Sequence, residues 1–265
     1  VEQEDEETDA QKITGGWLVE IDNYSDDPHI TIQEGGKTTM WLTYKTPEVL
    51  SSAQEQFLTS EIQRIDNLVY GDKNSDELWK YIDIDALARF YIVQEITDNY
   101  ESFHGSCYLH REMGENEKWK FGPVWDFGSS FNRDKSQYMF EGDVWHNHWI
   151  PEICKFPAFM NHVKTVWKEF YAGKYNEIYT YITEQKDLIA SAAQADYQRW
   201  PQYGNRDLAN RVTKVADRMR SNVAWLNNQW SENVNDEVID DLSSTAMYVW
   251  LNGTKVEYNL AMVAS

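Results

Sequence analysis

Asp98-Asn99-Tyr100-Glu101-Ser102-Phe103-His104-Gly105-Ser106-Cys107-Tyr108-Leu109-His110-Arg111 opens the stretch that decides the fold, and Lys118-Trp119-Lys120-Phe121-Gly122-Pro123-Val124-Trp125-Asp126-Phe127-Gly128-Ser129-Ser130-Phe131-Asn132 closes it. Its first part is a loop rich in acids and amides that follows a strongly apolar segment. Two short runs of strand character come next, Cys107–Arg111 and Lys118–Phe121, separated by the turn-forming Met113-Gly114-Glu115-Asn116. A hairpin of this shape can bring Glu101, before it, near Asp126, after it. Two neighbouring carboxylates repel unless a cation or a shared proton offsets the repulsion. The stretch therefore points to a charged site at the mouth of a hairpin.

Composition bounds what surrounds it. At 265 residues the chain can bury a substantial core, as one large domain or two small ones. With 42% hydrophobic and 14% aromatic residues, 12 of them Trp, it is globular rather than disordered. A formal net charge of −20 argues against nucleic acid as a partner, because phosphate contacts need clustered Lys and Arg. It suits cations, or anionic substrates only where a metal intervenes. No apolar run approaches the roughly 18 residues of a membrane span. Val1 starts neither a signal peptide nor an open reading frame, so the chain is expected to be processed or truncated. The cysteines, Cys107 and Cys154, are too few for a disulfide framework and match no zinc spacing. Two partly buried free thiols are expected, with a single disulfide as the alternative.

Taken in order, residues 1–13 read as an acidic linker or tail. Strands are expected at Trp17–Asp22, His29–Gln33 and Thr38–Tyr44, joined by turn chemistry, so the opening section should be antiparallel. Thr46-Pro47-Glu48 reads as a helix start, and Gly71 closes that helix. Ser75–Tyr81 reads as a short helix. Asp83 should cap a helix over Ile84–Asp98, whose apolar stripe is interrupted by Glu95; a carboxylate there needs a partner or a role. Arg133–Asn147 is irregular. His146 and His148, if extended, share a side and could ligate a metal, although no third ligand is identifiable. Helices follow, around Phe159–Phe170, Tyr175–Ala195 and Asp207–Trp230, the last near a heptad repeat. Two strand runs joined by Asn252-Gly253 form a C-terminal hairpin. The expected class is α+β, mainly helical.

Asp126-Phe127-Gly128 gains weight from the acid-bearing loop and hairpin before it. Phosphoryl-transfer kinases use that plan: a loop acid serves as base, a metal ligand lies five residues on, and the later Asp holds Mg²⁺. Here those positions are Glu101, Ser106 and Asp126. At this point the sequence resembles the spore coat protein H (CotH) kinase family. The resemblance rests on Gly15-Gly16-Trp17-Leu18-Val19-Glu20-Ile21-Asp22-Asn23-Tyr24, on Glu95-Ile96-Thr97-Asp98-Asn99, and on Gly122-Pro123-Val124-Trp125-Asp126-Phe127.

The resemblance implies a kinase-like C-terminal lobe with short β-hairpins over residues 14–232, followed by a linker and hairpin extension over 233–265. It implies ATP and Mg²⁺ or Mn²⁺ as cofactors, and protein Ser residues as substrate. By position, Glu101 and Asp126 are the implied catalytic residues. Asn99, Ser106 and Asp126 are the implied cofactor-binding residues, and Asp126 and Ser106 the implied metal ligands. Glu101 stands where the family has Asp, and Ser106 where it has Asn or Asp. No Gly-rich phosphate loop or phosphate-contacting Lys precedes the Gly-Gly-Trp strand, so the nucleotide-binding lobe of the same protein is expected to be missing and this fragment alone is expected to be inactive. Relatives of this acidic, Trp- and Tyr-rich style imply an exported or cell-surface, lipoprotein-anchored protein in bacteria. Two other readings stay open: a degenerate family member acting as a binding or scaffold module at an extracytoplasmic surface, and a hydrolase whose carboxylate pair handles a glycosidic bond.

Overall fold

The structure is a computed structural model that describes residues 2–114, 116–141, 148–203, 207–231, 246–251 and 254–259. About half of the chain is helical, with one small antiparallel sheet in the main unit, so the α+β class holds. The chain divides into two compact units, Val1–Trp230 and Ser231–Ser265.

The sheet of the first unit is built on β1 (Trp17–Asp22), whose Trp17, Val19 and Ile21 alternate into the core. Its antiparallel neighbours are β3 (Thr38–Thr46) and β4 (Cys107–Arg111). With β2 (His29–Glu34) and β5 (Lys120–Phe121) the order is β2-β3-β1-β4-β5. The hairpin read from the central stretch is therefore real. Its second strand is shorter than expected, because Trp119 leaves the ladder for a parallel bridge to Ile82. Gly15 precedes β1 because no larger residue fits: an added Cβ would lie 1.8 Å from the Glu112 carbonyl oxygen.

The first helix, α1 (Ser52–Val69), begins later than Thr46-Pro47-Glu48 suggests. Thr46 is still in β3, paired with Leu18, and cannot also cap a helix. The cap is Ser51: its hydroxyl accepts from the Gln54 amide, and the Gln54 side chain reaches back to the Ser51 amide. The segment Ser75–Tyr81 contains only one 3₁₀ turn, Glu77–Lys80. The acidic opening also departs from a solvated tail. Gln3 is buried and donates to the Gly15 carbonyl at 2.6 Å, while the Asp5 carboxylate accepts from the Glu48 and Val49 amides. This stretch follows the entrance of α1 instead of leaving the domain.

Helix α2 (Ile84–Thr97) starts where Asp83 accepts from the Asp85 and Ala86 amides, and it ends at Asp98, whose φ of 50° is left-handed. It packs against β5, α4 (Pro157–Gly173) and α6 (Leu208–Trp230). A short α3 (Ile150–Ile153) precedes α4. The core between these helices is aromatic: Trp167 and Trp230 meet edge to face at 5.0 Å, and Tyr91 and Phe159 meet at 5.7 Å. Helix α5 (Tyr175–Arg199) runs four residues past Ala195 and contains no buried residue; it packs on α6, with Tyr181 and Leu188 exposed. In the second unit β6 (Ala246–Leu251) and β7 (Thr254–Asn259) pair antiparallel, Leu251 opposite Thr254. The Asn252-Gly253 turn lies outside the described residues. Among the described residues no helix is long and apolar enough to cross a membrane.

Both cysteines are free thiols, as expected, with Cys107 buried and Cys154 partly buried. Burial pushes the Cys107 thiol well above its ordinary range, and the nearby Glu20 adds to the shift. Since the thiolate is the reactive form, Cys107 should resist a disulfide reagent at pH 8 in the folded protein. It should react on unfolding, at least about a hundred-fold faster. Equal rates in both states would contradict its burial.

Candidate functional site

The site lies where α2 ends and the β4–β5 hairpin closes. Residues 98–106 form tight turns in which the Glu101 carbonyl accepts from the His104 and Gly105 amides. Ser102 donates to the Asn99 carbonyl at 2.6 Å. Gly105 packs against Asn23, and an added Cβ would lie 2.5 Å from Asn23 Nδ2. The β1–β2 turn is thereby seated beside the loop. The chain then enters β4 through Ser106, whose φ is 54°. After β5 it turns at Gly122 (φ 130°) into an exposed run, residues 123–128. Asp126 sits in this run with φ 55°, a conformation that Asp adopts more readily than most residues.

Three of the four residues singled out from sequence come together here. Asn99 Nδ2 donates to the Asp126 carbonyl oxygen at 2.9 Å, fixing the main chain under the carboxylate. Ser106 Oγ donates to Asp126 Oδ2 at 3.3 Å, long for a hydroxyl bond, so the carboxylate keeps acceptor capacity. Asn99 is buried, and among the described residues its Oδ1 has no hydrogen-bond partner. Glu101 lies in the same turn, partly exposed. Among the described residues its carboxylate takes no hydrogen bond or ion pair. The structure thus joins Asn99, Ser106 and Asp126; Glu101 lies in the turn between Asn99 and Ser106, partly exposed and bonded to none of the three among the described residues.

Carboxylate, hydroxyl and amide oxygens are hard donors, the type that Mg²⁺ or Mn²⁺ takes. Among the described residues no three His, Cys, Asp or Glu side chains are arranged to hold a metal. One carboxylate with hydroxyl and amide oxygens fits an ion that keeps several waters, since Mg²⁺ commonly needs only one or two protein carboxylates. The histidine pair falls partly outside the described residues, which do not include His146. His148 Nδ1 is 2.8 Å from Glu34 Oε2 in a buried contact. Nearby, Asp66 accepts from Trp149 Nε1 at 2.9 Å and from the Gly35 amide, while burial raises its pKa.

Sequence reasoning missed the basic residues just after the site. Lys135 lies 2.5 Å from Glu95 Oε2 and 3.2 Å from Asp98 Oδ1, with the Lys135 and Glu95 side chains both 0% exposed. Arg133 Nε bonds Asp98 Oδ2 at 2.6 Å. Burial raises the Glu95 carboxyl, and Lys135 opposes that shift. The available signal was Glu95 itself, an acid on an apolar stripe that called for a cation.

An acid-bearing loop, a hairpin and an Asp on the turn after it form the plan shared by kinase-like proteins. The family model described as CotH kinase protein matches residues 1–235, and the chain belongs to the CotH kinase family. No curated protein matches the chain.

Proposed function

We propose that this site transfers a phosphoryl group from metal-bound ATP to Ser hydroxyls of a protein substrate. The observation that carries the reading is the junction of Asn99, Ser106 and Asp126 at the mouth of the hairpin. A divalent ion, Mg²⁺ or Mn²⁺, would supply neutralisation of the negative charge on the nucleotide phosphates. Asp126 would hold that ion through its carboxylate, with the Ser106 hydroxyl beside it as a further oxygen donor. Asn99 holds the main chain of Asp126 in place, so the carboxylate needs little reorganisation. Glu101 accepts the proton of the substrate hydroxyl; its freedom from other partners among the described residues leaves it able to do so.

Two measurements on the full-length protein test the reading. Calorimetry should show ATP binding that requires Mg²⁺ or Mn²⁺, and absence of heat with either ion would overturn it. Glu101→Gln should then lower phosphoryl transfer by roughly 10²–10⁴-fold with nucleotide affinity unchanged. An unaltered rate would remove Glu101 from the chemistry.

A second reading is a binding or scaffold module at an extracytoplasmic, cell-surface location. It is favoured by a site with one joined carboxylate, by the extra methylene of Glu101, and by a hydroxyl at Ser106 where a stronger ligand suits a metal. Absence of metal-dependent ATP binding is its expected result.

A further inference from the structure

We propose that Lys135 is a positioning residue for this site, pinning the segment after Asp126 to the end of α2. The proposal rests on the reading of Asp126 as the residue that holds metal-bound nucleotide. From Asp126 to Tyr138 the described chain has no helix or strand of its own, so its course depends on what it bonds to. The attachments follow one another along the segment. The Asp126 carbonyl is held by Asn99, and the Phe131 amide donates to the Thr97 carbonyl at 2.8 Å. Arg133 and Lys135 engage Asp98, Lys135 also engages Glu95, and the Met139 amide donates to the Glu95 carboxylate at 3.3 Å. Every partner on the α2 side lies within residues 95–99, which lead directly into the turn that carries Glu101.

Lys135 is the centre of this set. Its ammonium also lies over the Trp225 ring of α6, 5.6 Å from the centroid, which completes its surroundings. Burying a lysine between two acids is expensive, and an apolar side chain of similar volume is often as stabilising. What the ion pairs add is direction: two acids on a rigid helix end accept only one placement of Lys135. An apolar plug would leave the segment free to slide. Because Asp126 is tied at one end by Asn99 and the chain after it by Thr97, a shift of the segment moves the carboxylate away from Ser106.

The test uses Glu95→Gln/Lys135→Met, which removes both charges together and so leaves no unpaired one at that pair. The glutamine introduced at position 95 retains an acceptor for the Met139 amide, and Asp98 keeps Arg133. By NMR-detected hydrogen exchange on the full-length protein, the Phe131 amide should exchange at least about ten-fold faster while β1 and β4 amides hold their rates. Affinity for Mg²⁺–ATP should fall by roughly five-fold or more with the thermal midpoint nearly kept, a split that a merely structural role would not produce. Phe131 exchange within about two-fold of the parent overturns the proposal. If the double variant does not fold, Arg133→Met decides from the partly exposed end of the set: exchange about three-fold faster at Phe131 supports it, and no change overturns it. A parent protein that binds no metal–nucleotide ends the phosphotransfer reading, while the exchange result still judges the clamp.

Discussion

If the site binds metal-bound nucleotide as proposed, Asp126→Asn is expected to lower that affinity by at least roughly a hundred-fold, equivalent to about 2.8 kcal/mol. Asn is the informative replacement. It keeps the shape of the side chain and tolerates the left-handed backbone at φ 55°, where Ala would add strain of about 1–2 kcal/mol. The carbonyl of residue 126 still accepts from Asn99, and the side-chain amide oxygen can still accept from Ser106. Only the charge is lost. Because Asp126 is exposed, the replacement should move the thermal midpoint by no more than about 2 °C. Nucleotide titrations with Mg²⁺ and with Mn²⁺ check both halves. Binding that survives in the Asn variant would show that the cation is held elsewhere, and would dismantle the site.

Trp230→Ala is the largest stability change expected of a single replacement. The Trp230 ring is 2% exposed, packs edge to face on Trp167 at 5.0 Å, and meets Tyr91 at 5.9 Å and Tyr138 at 6.2 Å. It therefore joins α6 to α4, to α2 and to the segment that follows Lys135. Removing such a ring from a packed core costs about 3–5 kcal/mol, because the neighbours close only part of the cavity. For a unit of this size that lowers the midpoint by roughly 10 °C. Trp200→Ala is the control: Trp200 is 45% exposed, and its loss should cost within about 0.5 kcal/mol. Calorimetric unfolding that shows similar midpoints for the two variants would contradict the packing described.

Much of this architecture is legible in the residues themselves. The strand at Trp17–Asp22 and the central hairpin carry period-2 alternation and turn residues, which are local signals. A hairpin sets the residues before it beside those after it, as Ser106 and Asp126 are. At the entrance of α1, Thr46-Pro47-Glu48 carries the local signals of a helix start, but pairing of Thr46 with Leu18 keeps it in β3 and the cap falls to Ser51. The left-handed turns at Ser106 and Asp126 are hidden because neither residue is glycine. Lys135 is hidden for a different reason. Glu95 advertises a need for positive charge, yet its partner lies 40 positions along the chain, in a stretch with no periodicity to orient it.

The ion pairs around Lys135 differ from the rest of this protein's electrostatics in how they meet their surroundings. Exposed charges on a chain of net charge −20 are softened or sharpened by dissolved salt over a Debye length of about 10 Å at 0.1 M. Glu95 and Asp98 against Lys135 and Arg133 sum to zero, and all but Arg133 are sealed from counterions. Brine and dilute buffer therefore change the field that these groups set at the site's loop far less than they change the outer acidic surface.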